Sequence, residues 1–160
     1  MEHLELDDVT LALARIGSGP ELPLIWGHGL SSSMESEDEL GLIDWEQAAP
    51  GRAVVRYDAR GHGASGSTPE PSGYVWDALA RDQLALADRL GIDRYIAAGA
   101  SMGCATALFA ALAAPTRVER LVLVIPPTAW ETRAEQTSMY EVMADLLAAG
   151  DLDTLLAGLA

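Results

Sequence analysis

Tyr95-Ile96-Ala97-Ala98-Gly99-Ala100-Ser101-Met102-Gly103-Cys104 is the stretch on which the fold turns. The apolar run from Tyr95 to Ala98 reads as a strand, and the alanine-rich segment from Cys104 to Ala113 reads as a helix. Gly99 to Gly103 joins them with the pattern G-x-S-x-G. Glycine and serine are common, so the pattern alone says little. Directly after a strand and directly before a helix, it has the setting of a nucleophile elbow. A serine at the tip of so sharp a turn takes a strained backbone conformation and exposes its hydroxyl. Side chains two residues before and two after it would collide with the neighbouring strand and helix, so Gly99 and Gly103 are the residues that fit. Ser101 is therefore the candidate nucleophile; the alternative is an ordinary tight strand-to-helix turn. Cys104 reads as a small buried residue of the helix rather than a reactive thiol.

Working outward, Leu4 to Val9 and Thr10 to Ile16 read as a hairpin joined at Asp7-Asp8. Leu22 to Trp26 is a short apolar strand ending at Gly27-His28-Gly29. Ser31-Ser32-Ser33 offers helix N-caps, and Glu35, Glu37, Asp38 and Glu39 sit where a helix N-terminus favours negative charge. That helix is expected to carry Leu40, Leu42, Ile43 and Trp45 and to stop by Pro50. Ala53 to Tyr57 is the next strand and runs into Asp58-Ala59-Arg60-Gly61-His62-Gly63. Trp76, Leu79, Leu86 and Leu90 fall at helical spacing, with Gly91 as the stop. Leu121 to Ile125 is a continuous apolar strand ended by Pro126-Pro127. An amphipathic helix follows with Met139, Met143, Leu146 and Leu147 on one face, and a further helix begins near Asp151 or Asp153. Alternating strands and helices after the hairpin predict an α/β fold, a mostly parallel sheet with helices on both faces.

Gly27-His28-Gly29, Arg56-Tyr57-Asp58-Ala59-Arg60-Gly61-His62-Gly63-Ala64-Ser65 and Gly99-Ala100-Ser101-Met102-Gly103 occur in the order and spacing of the α/β-hydrolase superfamily. The chain resembles the N-terminal part of such proteins over about residues 4 to 130. Within the superfamily it is most similar to small bacterial carboxylesterases, 3-oxoadipate enol-lactonases and cofactor-free haloperoxidase-type members. The resemblance implies a partial α/β-hydrolase fold, with residues 1–126 as the first part of the core and 127–160 as the start of a helical lid. It implies hydrolysis of a carboxylic ester or lactone through a serine acyl-enzyme. The tetrahedral intermediate needs two aimed N–H donors. The resemblance assigns one to Met102, after the nucleophile, and the other to Leu30, in the loop after the earlier strand. Asp58, Arg60 and His62 then read as structural, holding a glycine-rich turn, and His28 as ordering its own loop.

The triad of this superfamily runs serine, acid, histidine in chain order. Here the histidines are His3, His28 and His62, all before Ser101. Glu131 follows the strand Leu121 to Ile125, where an acid would sit, but it has no base to orient. The triad acid and histidine are therefore expected to be absent from this chain. Three explanations stand open: a piece of a longer hydrolase, a short protein keeping half of the fold for binding or assembly, or a second chain that supplies the rest.

Composition narrows the partners. The chain has 160 residues, 49% hydrophobic, with a formal net charge of −14, ten basic residues all arginine, and one cysteine. That acidity disfavours nucleic acid and anionic membrane surfaces. A single cysteine excludes an intramolecular disulfide. The acidic N-terminus does not read as a signal peptide, no stretch approaches the roughly 20 apolar residues of a membrane span, and a cytoplasmic protein is expected. No cluster has metal-ligand spacing and no phosphate-binding glycine loop is present, so no cofactor is implied. The expected partner is a small ester or lactone. The apolar strand Leu121 to Ile125, lacking the neighbour the superfamily gives it, also predicts a homodimer through an open sheet edge.

Overall fold

The structure is a computed structural model and describes residues 1–127 and 134–159. Among them, six strands form one sheet: β1 (Glu2–Glu5), β2 (Thr10–Ile16), β3 (Glu21–Gly27), β4 (Arg52–Tyr57), β5 (Tyr95–Ala100) and β6 (Val118–Val124). The order across the sheet is β1-β2-β4-β3-β5-β6. β2 is antiparallel to β1 and β4, whereas β4, β3, β5 and β6 run parallel. The hairpin turns at Asp7-Asp8, where the Leu6 N–H donates to the Val9 carbonyl at 2.9 Å.

The inner parallel strands β3, β4 and β5 are largely buried, as parallel strands covered on both faces are, which is why they read as near-continuous apolar runs. Leu11, Leu13, Ile25, Val55, Tyr57 and Ala97 face a core shared with Leu79, Leu86, Ala107 and Ala110. Those partners come from helices α3 (Trp76–Arg89) and α4 (Met102–Ala113). Leu24, Trp26, Val54, Ile96 and Ala98 alternate to the opposite face and pack with Ala49 and Trp45. α3 ends as its sequence dictates, with Gly91 at φ 67°.

The single helix expected between Ser31 and Pro50 is two short ones. α1 (Met34–Glu39) is capped by Ser33, whose hydroxyl accepts the Ser36 N–H. α2 (Trp45–Ala48) is capped by Asp44, which accepts the N–H groups of Glu46 and Gln47. Gly41 between them sits at φ 58°. A left-handed residue ends a helix, and Asp44 is a better cap than a mid-helix residue, so local chemistry splits what apolar spacing had joined. Leu40 and Leu42 are exposed as a result.

Contacts divide the chain into two compact units, Met1–Pro126 and Pro127–Ala160. The second unit contains α5 (Thr137–Ala149) and α6 (Leu152–Leu159). Gly150, at φ 73°, closes α5, and Asp151 caps α6 by accepting the Thr154 N–H. Met139, Val142, Met143 and Leu146 of α5 line a groove with Leu155 of α6.

Candidate active site

The chain passes from β3 outward to β4 on one side, then returns to place β5 on the other side of β3. Such a reversal opens a crevice at the carboxyl ends of the strands, where α/β proteins bind ligands. The register brings these ends level: Gly27 pairs with Tyr57 and with Gly99, and Ala100 with Val124. The loops carrying His28, Asp58 and Ser101 therefore emerge side by side.

Ser101 stands between β5 and α4 with φ 46° and ψ −105°. A non-glycine residue rarely takes a positive φ, and the conformation persists only where surrounding structure over-determines it. That structure is visible here. The Ser101 N–H donates to the Val124 carbonyl, and the Gly103 N–H donates to the His28 carbonyl, both at 3.1 Å. The buried Cys104 thiol lies 3.0 Å from the Gly99 carbonyl oxygen and 3.2 Å from that of Val124, and donates to one of them. Burial pushes that thiol above its usual range, away from thiolate chemistry. Ile125, directly after Val124, is the other non-glycine residue at positive φ among the described residues.

The glycines interlock across three elements. A Cβ on Gly103 would enter the Gly27 backbone, and one on Gly99 would lie 2.6 Å from the Gly103 carbonyl oxygen. α4 thus starts almost in contact with β3 and β5. The collision is between backbones, so no side-chain adjustment relieves it.

The loop after β3 reaches the elbow: a Cβ on Gly29 would sit 3.8 Å from that of Ser101. Leu30 lies in this loop and Met102 is the first residue of α4. Neither of their backbone N–H groups has an acceptor among the described residues. No hydrogen bond links Ser101 Oγ to either His28 or His62; both rings are engaged by backbone groups. His28 Nε2 accepts the Ala59 N–H at 3.0 Å, so the proton is on Nδ1, 2.7 Å from the Gly29 carbonyl oxygen. Burial holds this imidazole below its ordinary range, and it is neutral.

Asp58 accepts the Met34 N–H at 2.7 Å and the Ala64 N–H at 2.9 Å, tying the start of α1 to the glycine-rich turn. Arg60 does something the sequence reading missed. Its guanidinium makes two bonds of 2.6 Å to Asp82 in α3 and two of 3.0 Å to Asp8 in the hairpin turn. These carboxylates push its pKa up, and the pairing joins distant elements rather than its own turn. A signal was present: Asp82 falls on the buried side of α3 between Leu79 and Leu86, and a charge on an apolar face needs a partner. Glu37 was missed likewise. It accepts the Trp26 indole N–H at 3.0 Å, and burial pushes its carboxyl up. Glu131 lies outside the described residues.

Comparison with known proteins agrees with this architecture. The family model of the alpha/beta hydrolase fold matches residues 23–145, and the chain belongs to that family. A hydrolase from Pseudomonas aeruginosa superposes with a TM-score of 0.80 at 31% identity, over 99% of this chain and 57% of that one. The sn-1-specific diacylglycerol lipase ABHD11 of Mus musculus is 33% identical over 77% of this chain and 39% of its own length. The 3-oxoadipate enol-lactonase 2 of Acinetobacter baylyi is 30% identical over 84% of this chain and 50% of its own. The chain thus spans half or less of the length of these two curated relatives. No described helix is long and apolar enough to cross a membrane.

Proposed function

We propose that this chain carries the nucleophile and the oxyanion donors of a serine hydrolase that cleaves a carboxylic ester or lactone. One observation carries the reading: Ser101 is held at φ 46° between a parallel strand and a helix, beside a loop whose Leu30 N–H, like that of Met102, has no acceptor among the described residues. The enol-lactonase and the diacylglycerol lipase among the relatives support the substrate class.

In this proposal Ser101 Oγ attacks the substrate carbonyl. The N–H groups of Leu30 and Met102 hold the negative oxygen that forms. The alcohol portion leaves, and water then releases the acyl group from Ser101. The proton of Ser101 passes to a histidine other than His3, His28 and His62, supplied by further sequence or by a second chain. The unit Pro127–Ala160 is the start of a lid, the setting is the cytoplasm, and a second copy pairing along β6 is the assembly an open edge supports. The chemistry itself needs no cofactor.

The test supplies the missing base from solution. Incubated with p-nitrophenyl acetate alone, the chain should turn over hardly at all, because loss of a triad member costs roughly 10⁴ to 10⁶ in turnover. With added imidazole, mass spectrometry should find acetyl on Ser101, and a Ser101→Ala variant should take up none at this site or elsewhere in the elbow. No acetylation of Ser101, or uptake unchanged in Ser101→Ala, would overturn the nucleophile assignment and favour a non-catalytic binding protein.

A further inference from the structure

Leu30 is flanked by two peptide groups, and a histidine grips the carbonyl of each. The Gly29 carbonyl shares a peptide plane with the Leu30 N–H, and His28 Nδ1 donates to it at 2.7 Å. A trans peptide is planar, with C=O and N–H pointing opposite ways. Fixing that carbonyl therefore aims the Leu30 N–H. The next carbonyl, that of Leu30 itself, lies 2.6 Å from Nε2 of His62, whose Nδ1 is 3.0 Å from the Arg60 carbonyl oxygen. The two rings are neighbours, with centroids 5.1 Å apart.

The two histidines differ in what they face. His28 meets one N–H and one carbonyl, so a neutral ring satisfies both. His62 meets two carbonyl oxygens. A carbonyl only accepts, and a neutral imidazole has one N–H to give; an imidazolium has two. We propose that His62 is a second positioning residue of the loop that carries the Leu30 donor, fixing the peptide after Leu30 as His28 fixes the one before it, and that it holds the Leu30 and Arg60 carbonyls together with an N–H on each ring nitrogen. The functional consequence rests on the proposed role of Leu30; the protonation state and the contact do not. In an intact enzyme, loss of the His62 proton would release one of the two carbonyls and loosen the oxyanion loop without touching the nucleophile.

The charged and titratable groups around this ring are few. The His28 ring beside it is neutral and buried. The Asp58 carboxylate is turned to the N–H groups of Met34 and Ala64. The Arg60 guanidinium points away, into Asp82 and Asp8. The carbonyls of Leu30 and Arg60 are thus the groups hydrogen-bonded to the His62 ring, and neither carries a competing positive charge.

Nuclear magnetic resonance on the ¹⁵N-labelled chain tests this directly. Long-range ¹H–¹⁵N spectra should show His28 with one bare ring nitrogen throughout the range of about pH 5 to 8, and His62 with both ring nitrogens protonated at the acid end. As His62 loses its proton, the amide signals of Leu30 and Ser31 should shift with the same midpoint. In a His62→Gln variant those two amides should lose this pH dependence, while the Gly103 amide keeps its position. A His62 ring with one bare nitrogen over the whole range, or Leu30 and Ser31 amides that ignore its titration, would overturn the proposal. Ser101→Ala should leave the coupling intact, so failure of the nucleophile reading appears in the acetylation experiment and leaves these spectra unchanged.

Discussion

At one edge of the sheet, β1 is four residues long and exposes Glu2 and Glu5, with Glu2 paired to Arg15 at 2.8 Å. At the other, β6 is seven residues long and ends in Leu121-Val122-Leu123-Val124, of which Leu121, Val122 and Val124 are 39%, 43% and 42% exposed. Short strands and charged side chains are devices that keep a sheet edge from pairing with another chain. β1 has both. β6 has its charges, Glu119 and Arg120, only in its first half. Between the edges, the β4 side buries its charges in pairs, such as Arg60 with Asp82 and Arg56 with Glu37. The β6 side instead leaves apolar surface on Leu108, Phe109 and Leu112 of α4. One side of this sheet meets solvent with charge, and the other meets it with apolar side chains.

The largest effect should come from the charged side. Arg60→Met leaves the buried carboxylate of Asp82 without its cation, and removing one partner of a buried pair costs about 3–5 kcal/mol. Urea denaturation followed by circular dichroism should show that loss. A double variant, Arg60→Met with Asp82→Leu, should recover much of it. If the single variant matches wild type, the ion pair does not hold the hairpin turn and α3 to β4.

The open side should respond in association rather than in stability. Val122→Lys places a charge on the free half of β6. It should change the stability of the single chain by less than about 0.5 kcal/mol, as surface substitutions do. Light scattering over a concentration series should show wild type self-associating and the variant much less so. Wild type that stays monomeric at every concentration would mean the apolar edge is not a pairing surface.

The smallest effect sharpens the same contrast through pH. Burial raises the Glu37 carboxyl above its ordinary value of 4.5 in the folded state. A raised acid binds its proton more tightly folded than unfolded, so its contribution to stability is present below the unfolded value and fades as pH rises through the folded one. Asp8 acts in the opposite direction, lowered by its bond to Arg60 and favouring the fold above its ordinary 3.8. Comparing wild type with Glu37→Gln isolates the first. The variant should lose less stability between pH values just below and well above the Glu37 titration. Parallel curves would show that Glu37 titrates as it does in the unfolded chain.

The alternation of strands and helices, the hairpin, the elbow at Ser101 and the stop at Gly91 were all legible in the residues. Each depends on neighbours in sequence: apolar period, a glycine where φ is positive, small side chains around a sharp turn. The break between α1 and α2 was also written locally, in Gly41 and Asp44, but apolar spacing across them read as one helix. What lay beyond the sequence was which distant groups meet. Arg60 reaches Asp82 and Asp8, 22 and 52 residues away; His62 reaches the Leu30 carbonyl, 32 residues away; and Gly103 packs on Gly27. Such partners are chosen by strand order and register, which bring separate loops to one end of the sheet. A charge or a ring nitrogen in a loop has many possible acceptors in the unfolded chain, and only the assembled sheet selects among them.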